Sequence, residues 1–257
     1  MSSQPVEHEK PDDTSHWASP ISKLPALSAP AGAINLNLEG RQVVGALQGF
    51  GQLWQKTFKV RLSGVDANPE QVMQTWKENF ARFQPPTNHF FPSMAGIKPG
   101  EVIWIDTRLP ILPGLPGIIP IASGVMVLYV DDTSITVMTP EGFPISGWNN
   151  FSTFEEDGVT VAQVESFDRP ADPIYEFGFR LMGGSPQQDA IWVHVLEKLA
   201  EHYGVKGQVQ TRQICLDSRL QWRYARNIWN NAAIRTFFYA LASPLRWLGN
   251  LFKRPSS

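Results

Sequence analysis

Few ionisable side chains of this sequence could do chemistry, and the strongest candidate is a carboxylate. Glu165 lies on a predicted strand, on the side that it shares with Val161 and Phe167. A carboxylate among apolar neighbours can act as a general acid or base, but structural ion pairs also explain such charges. We favour the second interpretation and expect an ion pair with Arg169 or Arg180.

Arg108 is the second polar candidate. It follows Asp106 at a spacing of two residues, which places both side chains on one face of a strand, where they can neutralise each other. In a ligand-binding protein, Glu165 and Arg108 are the groups that we expect to contact a polar atom of the ligand. In an enzyme they would move protons.

Signatures of common catalytic and metal centres are missing from the sequence. It has no Gly-x-Ser-x-Gly, no His-Glu-x-x-His and no phosphate-binding loop ending in Gly-Lys-Ser or Gly-Lys-Thr. His194 and His202 lie about 12 Å apart along a predicted helix, too far to share one ion. We therefore predict no metal and no cofactor, and we favour a non-enzymatic protein over an enzyme.

Large aromatic side chains are more numerous than these polar candidates. Trp104, Trp148, Phe177 and Phe179 lie on predicted strands. Side chains of this size can line a pocket for a flat or long apolar molecule. The alternative is ordinary core packing, where large aromatic residues usually lie.

The elements that would position these residues can be predicted from caps and turns. Asn68, Pro69 and Gln71 form a capping box with proline at the first helical position, so a helix begins there, after a strand at 55–62. Turn residues such as Asp157 and Gly158 predict that successive strands pair antiparallel. The predicted strands of this meander are 101–109, 124–130, 134–139, 148–154, 159–167 and 174–181.

A long amphipathic helix over 186–203 is predicted to close the domain. Ser185 is its expected cap, Pro186 its first residue and Gln188 the partner in a second capping box, while Gly204 is a natural stop. Strand, helix, antiparallel strands and closing helix together predict an α+β fold.

This order of elements, over roughly 55–204, resembles the helix-grip fold of the START-like (SRPBCC-type) superfamily of lipid-transfer, plant hormone-binding and polyketide-cyclase-like proteins. The stretch VTVAQVESFDRPADPIYEFGFRL is also similar to an uncharacterised bacterial branch in which a strand ends in an Arg-Pro-small triplet, here Arg169, Pro170 and Ala171. The resemblance implies a curved antiparallel sheet that grips the long C-terminal helix, with a cavity between them. We expect this cavity to reach at least about 300 Å³.

The segments outside the resemblance differ in composition. We expect residues 1–33, which are rich in Pro, Ser and charge, to be disordered, and the helix-grip domain to span 34–210. The N-terminus lacks a basic and apolar leader and Cys215 is the single cysteine, which predicts a cytoplasmic location. Leu112 to Ile119, in an apolar loop, are predicted to cover the cavity mouth.

Residues 211–257, the basic tail, are predicted to form an amphipathic helical extension. Residues 212–257 contain eight Lys or Arg and one acidic residue, Asp217. Tryptophans and alanines on one side of a helical wheel, with arginines on the other, are typical of an interfacial helix on an anionic membrane. Such a broad apolar face argues against nucleic acid as a partner. The residues expected to contact a membrane are Trp222, Trp229, Phe237, Trp247, Arg219, Arg223 and Arg226.

The sequence favours a non-enzymatic binding or carrier protein for an apolar small molecule, held between the sheet and the closing helix. The tail adds a peripheral position on the inner membrane face, unless it docks on its own domain. The alternatives are a cyclase-like or hydratase-like enzyme that uses the same cavity, and an interaction protein with a filled core.

Overall fold

The computed structural model describes residues 13–25, 28–33, 36–91, 96–109 and 119–242. Its main element is an antiparallel sheet, joined by helices and by 3-10 helices at Asp13–His16, Ala46–Gln48 and Trp222–Asn230. The strands are β1 (Val43–Val44), β2 (Leu53–Arg61), β3 (Asn88–Phe91), β4 (Val102–Leu109), β5 (Ile119–Val130), β6 (Ser134–Pro140), β7 (Ile145–Glu156), β8 (Val159–Pro170) and β9 (Gln210–Asp217). The helices are α1 (Pro69–Asn79), α2 (Pro173–Leu181), α3 (Gly184–His202) and α4 (Ala232–Leu241).

The sheet confirms the predicted antiparallel meander. Its strand order is β3-β4-β5-β6-β7-β8-β2-β9, with β1 paired to β6 outside this path. Strands β3 to β8 therefore follow one another in the chain, and β2 joins the sheet beside β8. The curved sheet closes over α3, so the α+β helix-grip arrangement is present.

The inner face of the sheet carries the main core. The capping box starts α1 as predicted, since Asn68 Oδ1 accepts from Gln71 N at 2.9 Å and Gln71 Oε1 accepts from Asn68 N at 3.0 Å. The closing helix α3 buries Leu196 and Leu199 completely against this face. Together α1 and α3 remove the inner face from water, which is the main source of stability in such a fold.

Both faces of the β5–β6 hairpin are covered. Val125 and Val127 belong to the inner core, whereas Met126 packs in a second cluster on the outer face. Part of the cover on the outer face comes from the N-terminal segment, in which Leu24 is 2% exposed. Leu24 lies within residues 1–33, which were predicted to be disordered, and its side chain is part of the second cluster.

The last predicted strand of the meander, 174–181, is the helix α2. Asp172 caps this helix, because its Oδ1 accepts from Ile174 N at 2.8 Å and from Tyr175 N at 3.0 Å. Pro173 takes the first helical position. The cap overrides the alternation of aromatic residues that suggested a strand, so Phe177 and Phe179 are helical residues.

The basic tail begins inside the sheet rather than after it. Gln210–Asp217 form β9, which pairs with β2 along the sheet edge, so the sheet extends beyond the predicted domain boundary at residue 210. The 3-10 helix Trp222–Asn230 and α4 meet at a break at Asn231, whose backbone is extended (ψ 116°). The described part of the tail is thus not one continuous amphipathic helix.

Candidate functional site

A cavity lies between α3 and the inner face of the sheet. Its volume is about 100 Å³, below the predicted minimum of about 300 Å³. The difference arises because aromatic rings fill the space, with ring centroids of Phe151 5.1 Å from Phe80 and 5.5 Å from Trp192. We call this space the grip cavity; its walls include Phe80, Phe90, Ile105, Val125, Val137, Asn149, Phe151, Phe179, Gln187, Gln188, Ile191 and Trp192.

Three polar atoms of residues that line the cavity are buried without a hydrogen-bond partner among the described residues. They are Asn149 Oδ1 on β7 and Gln187 Oε1 and Trp192 Nε1 on α3. Leaving a buried donor or acceptor unpaired costs about 1–3 kcal/mol. One donor and two acceptors are therefore unpaired in the walls of the cavity.

The junction between α2 and α3 forms one wall of the grip cavity. Gly183 has φ +79°, a conformation that favours glycine, and it lets the chain turn sharply between the two helices. A Cβ added at Gly184 would lie 3.2 Å from Gly178 O, so the helices touch through their backbones there. Of the predicted gate, residues 112–118 lie outside the described residues.

A second space, the polar cleft, adjoins the grip cavity. Its volume is about 260 Å³, and two residues, Phe179 and Gln188, line both spaces. Its remaining walls come from β2, the end of β8, α2 and the start of α3. They are Gln52, Trp54, Lys56, Asp168, Pro170, Glu176, Arg180, Ser185 and Pro186.

Lys56 is the buried cation of the polar cleft, with 3% of its side chain exposed. Its ammonium group donates to Ser185 Oγ at 3.0 Å, Gln188 Oε1 at 3.3 Å and Asp189 Oδ1 at 2.6 Å. All three donors of the ammonium group are thereby used. This also corrects the predicted start of α3: Ser185 and Gln188 serve Lys56 instead of forming a capping box, and Gly183 is the cap residue.

Asp168 is the buried carboxylate of the polar cleft. Gln188 Nε2 lies 3.5 Å from its Oδ2, and the Ser166 side chain lies beside it. Burial raises the pKa of Asp168 to about 6, although the charge of Lys56 pulls the pKa in the opposite direction. The carboxyl group can therefore gain or lose a proton near neutral pH.

Of the six predicted ligand-binding residues, Phe179 is the one that lines the grip cavity in the part of the chain that the structure describes. Trp104 packs in the outer-face cluster, and Trp148 stacks on Phe167 with ring centroids 5.7 Å apart. Arg108 and Phe177 are exposed. The two tryptophans were assigned to the wrong face, because alternation separates two faces without saying which one is inside.

Glu165 is also on the outer face, and the predicted ion pair is not formed. Its Oε1 accepts from Gln55 Nε2 at 2.6 Å. Arg180 instead pairs with Glu176 at 2.9 Å, and Arg169 lies 3.5 Å from Asp217. The side of β8 that carries Glu165 is polar around it, so the carboxylate needs no cation.

The sequence did contain a signal for one of the two residues that were missed. Lys56 is in phase with Phe58 and Val60 on β2, and a charge in phase with the most apolar face of a strand is a charge on the inner face. The same rule fails for Asp168, because the opposite face of β8, with Val161 and Phe167, is the more apolar one in the sequence.

The tail residues expected at a membrane are exposed, apart from Trp247. Trp222 is 72% exposed, Trp229 84% and Phe237 50%, and Arg219, Arg223 and Arg226 are exposed as well. Trp247 lies outside the described residues. Within the part of the chain that is described, no helix is long and apolar enough to cross a bilayer.

The small residues of α4 pack on the domain instead. Ala232 and Ala233 are buried beside Tyr175, whose hydroxyl oxygen accepts from Ala233 N at 3.0 Å. Asn231 fixes the junction, since its Nδ2 donates to Asp172 Oδ2 at 2.8 Å. One face of α4 is therefore docked on its own domain, while the aromatic face remains in water.

The arrangement defines a helix-grip protein, and solved structures with this fold are similar to it. No protein-family model and no curated protein matches the chain. A START superfamily protein from Mycobacterium smegmatis is 16% identical over 59% of this chain and 99% of its own, with a TM-score of 0.39. Protein Ms6760 from the same organism is 15% identical over 58% and 91%, with a TM-score of 0.39. The di-domain ARO/CYC protein StfQ of the steffimycin biosynthetic pathway is 12% identical over 60% and 53%, with a TM-score of 0.41.

Proposed function

We propose that this protein binds a small apolar molecule in the grip cavity. The observation that carries the proposal is the set of three unpartnered polar atoms, Asn149 Oδ1, Gln187 Oε1 and Trp192 Nε1, on otherwise apolar walls. A core that serves packing alone would lose stability through each of these atoms. A ligand with an apolar body and one or two polar atoms would supply the missing partners.

The size of the grip cavity limits the ligand. At about 100 Å³ it admits a short chain or a single small ring, and a larger molecule requires the wall to move. We place the entrance at the junction of α2 and α3, where Phe179 forms part of the wall and Gly183 and Gly184 allow the turn. Phe179 is the side chain whose rotation would enlarge the cavity.

A titration with 1-octanol tests this proposal, with heat of binding as the signal. The substitution Val125→Phe places a ring in the cavity and should abolish binding, because Val125 lines it. Leu128→Phe is the matched control on the same strand, since Leu128 packs in the outer-face cluster and its change should leave affinity unaltered. A folded V125F protein that binds octanol like the original chain would refute the proposal.

Should V125F fail to fold, Ile191→Phe on α3 makes the same test from the opposite wall, where the residue is only partly buried. Native mass spectrometry of freshly purified protein adds an independent measurement. The mass of a bound apolar species should be present in the original chain and absent from the cavity-filling variant. If V125F, I191F and the original chain all bind octanol equally, octanol does not bind in the grip cavity and the proposal is refuted.

A second function, attachment to an anionic membrane, is supported by the exposed face of the tail. Trp222, Trp229 and Phe237 are large apolar side chains in water, and Arg223 and Arg226 lie between the tryptophans in the chain. Aromatic residues favour the headgroup boundary, and each basic residue near an anionic surface adds about 1 kcal/mol of attraction. We therefore propose that the tail brings the domain to a membrane surface.

Sedimentation with vesicles tests the second function. The triple variant Trp222→Ser, Trp229→Ser and Phe237→Ser should no longer pellet with vesicles that contain phosphatidylserine, whereas the original chain should pellet, and less so at high salt. Ile21→Ser, which changes an exposed apolar residue of the N-terminal segment, is the control. Point substitutions are preferable to truncation, because removing residues from 210 onward would delete β9. Equal pelleting of the triple variant and the original chain would refute the attachment.

A further inference from the structure

The polar cleft contains more buried negative charge than positive charge. Lys56 is paired with Asp189 at 2.6 Å, and Arg180 on α2 is paired with Glu176 at 2.9 Å. Asp168 is the fifth charged group, and no ion pair with a partner within 4 Å is formed by it among the described residues. The lining of the cleft holds two acidic and two basic residues, and Asp189, which pairs with Lys56 from outside the lining, adds one negative charge when the Asp168 carboxyl group is ionised.

Asp168 is poorly supplied with hydrogen-bond donors for a buried carboxylate. Only 3% of the residue is exposed, and it lines the cleft. A carboxylate has about four acceptor positions. Gln188 Nε2 donates to it at the long distance of 3.5 Å, and the Ser166 side chain lies beside it without forming a hydrogen bond of ordinary geometry. A cation in the cleft would satisfy the remaining positions.

Lys56 does not make the cleft a site for anions. Its three N–H donors are directed to Ser185, Gln188 and Asp189, so none is left for a ligand. An incoming carboxylate or phosphate would have to displace one of these partners and would also meet the charge of Asp168. Lys56 therefore provides no donor for a negative group in the cleft.

We infer that the polar cleft binds the ammonium group of an amphipathic primary amine, with Asp168 as its counter-ion and the apolar part of the molecule in the grip cavity. The inference rests on the proposed function, since it assigns a head group to the apolar ligand. Phe179 and Gln188 line both spaces and would lie beside the point where one molecule crosses between them. A charge-assisted hydrogen bond in this buried position is stronger than a neutral one.

The test compares three probes that share one chain length: octylamine, 1-octanol and octanoate. The original chain should bind octylamine at least tenfold more tightly than octanol and should bind octanoate most weakly. Asp168→Asn should remove the preference for the amine and leave octanol affinity unchanged. Asp106→Asn is the matched control, because Asp106 shares a face of β4 with Trp104 on the opposite side of the sheet and its loss should not alter any of the three affinities.

The pH dependence of the original chain provides a measurement that needs no variant. An alkylamine, like lysine, stays protonated below about pH 9, so a change in octylamine affinity between pH 5 and 8 reports on the protein. The charged groups that face Asp168 are Lys56 on β2, Asp189 on α3 and Glu176 and Arg180 on α2. Octylamine should bind more weakly as Asp168 becomes protonated at low pH, while octanol affinity stays constant.

The outcomes separate the two proposals. Octanol binding together with equal affinities for octylamine in the original chain and D168N would overturn the amine site and leave the grip cavity as a binding site. Tighter binding of octanoate than of octylamine would overturn it as well. Failure of both octanol and octylamine to bind the original chain would refute the proposed function and the inference together.

Discussion

The inner and outer faces of the sheet differ in what covers them. The inner face packs on α1 and α3 and contains the grip cavity, with Asp168 and Lys56 at one end. The outer face is covered over β4 and β5 by apolar residues that include Leu24, and it is polar over β2 and β8, where Gln55 and Glu165 lie. The buried charges Asp168 and Lys56 therefore lie on the inner face, beside the grip cavity.

The largest contrast between the faces should be seen in β7, where Phe151 points inward and Trp148 outward. Phe151 is 1% exposed and contacts the rings of Trp76, Phe80 and Trp192, so Phe151→Ala should destabilise the protein by about 3–5 kcal/mol. Trp148 is half-buried and stacks on Phe167, so Trp148→Ala should cost about 1 kcal/mol. Urea denaturation of both variants measures the difference. Equal losses of stability would show that the outer face is as important for packing as the inner one.

Local signals predicted the elements of this fold well. The capping box at Asn68 and Gln71 marks α1, and turn residues such as Asp157 and Gly158 separate the strands, because each signal acts through neighbours in the chain. Asp172 and Pro173 repeat the pattern of Asn68 and Pro69, and taking that pattern into account would have identified α2 as a helix.

The site was harder to predict because it depends on contacts between distant segments. Lys56 and Asp189 are 133 residues apart, and no local pattern brings them together. The assignment of Trp104 to the inner face failed for the same reason, since what covers its face is a segment about 80 residues earlier in the chain, around Leu24. The faces of a strand become inner and outer only after the whole sheet has packed.

The next largest effect should be a pH dependence of stability that originates in Asp168. The pKa of its carboxyl group is raised to about 6 in the folded protein, from an ordinary value of 3.8. Between these values the folded protein holds a proton that the unfolded chain has lost, so the stability that the group contributes is complete below about pH 4 and is lost as the pH rises through about 6. The total loss is on the order of 2–3 kcal/mol.

Asp168→Asn should remove this loss, because an amide stays neutral. Denaturation of the original chain and of D168N at about pH 4 and about pH 7.5 measures it, and the free energy of unfolding of the original chain should fall relative to that of the variant as the pH rises. Glu78→Gln, on the exposed side of α1, is the control for a general effect of removing a carboxylate. Parallel pH profiles for the original chain and D168N would contradict the burial of an ionisable group at this position.

The smallest effect should come from Glu165, three residues before Asp168 on the same strand and on the opposite face. Its side chain is half-buried, and its Oε1 accepts a hydrogen bond from Gln55 Nε2 at 2.6 Å. A glutamine at position 165 could accept the same hydrogen bond through its amide oxygen. Glu165→Gln should therefore change the free energy of unfolding by less than about 0.5 kcal/mol, as is usual for surface substitutions. It should also leave the affinity for octylamine unchanged, where D168N lowers it. A tenfold loss of octylamine affinity in E165Q would mean that the charge of Glu165 acts on the polar cleft through the sheet. The position of a carboxylate on the inner or the outer face would then not decide whether it affects binding.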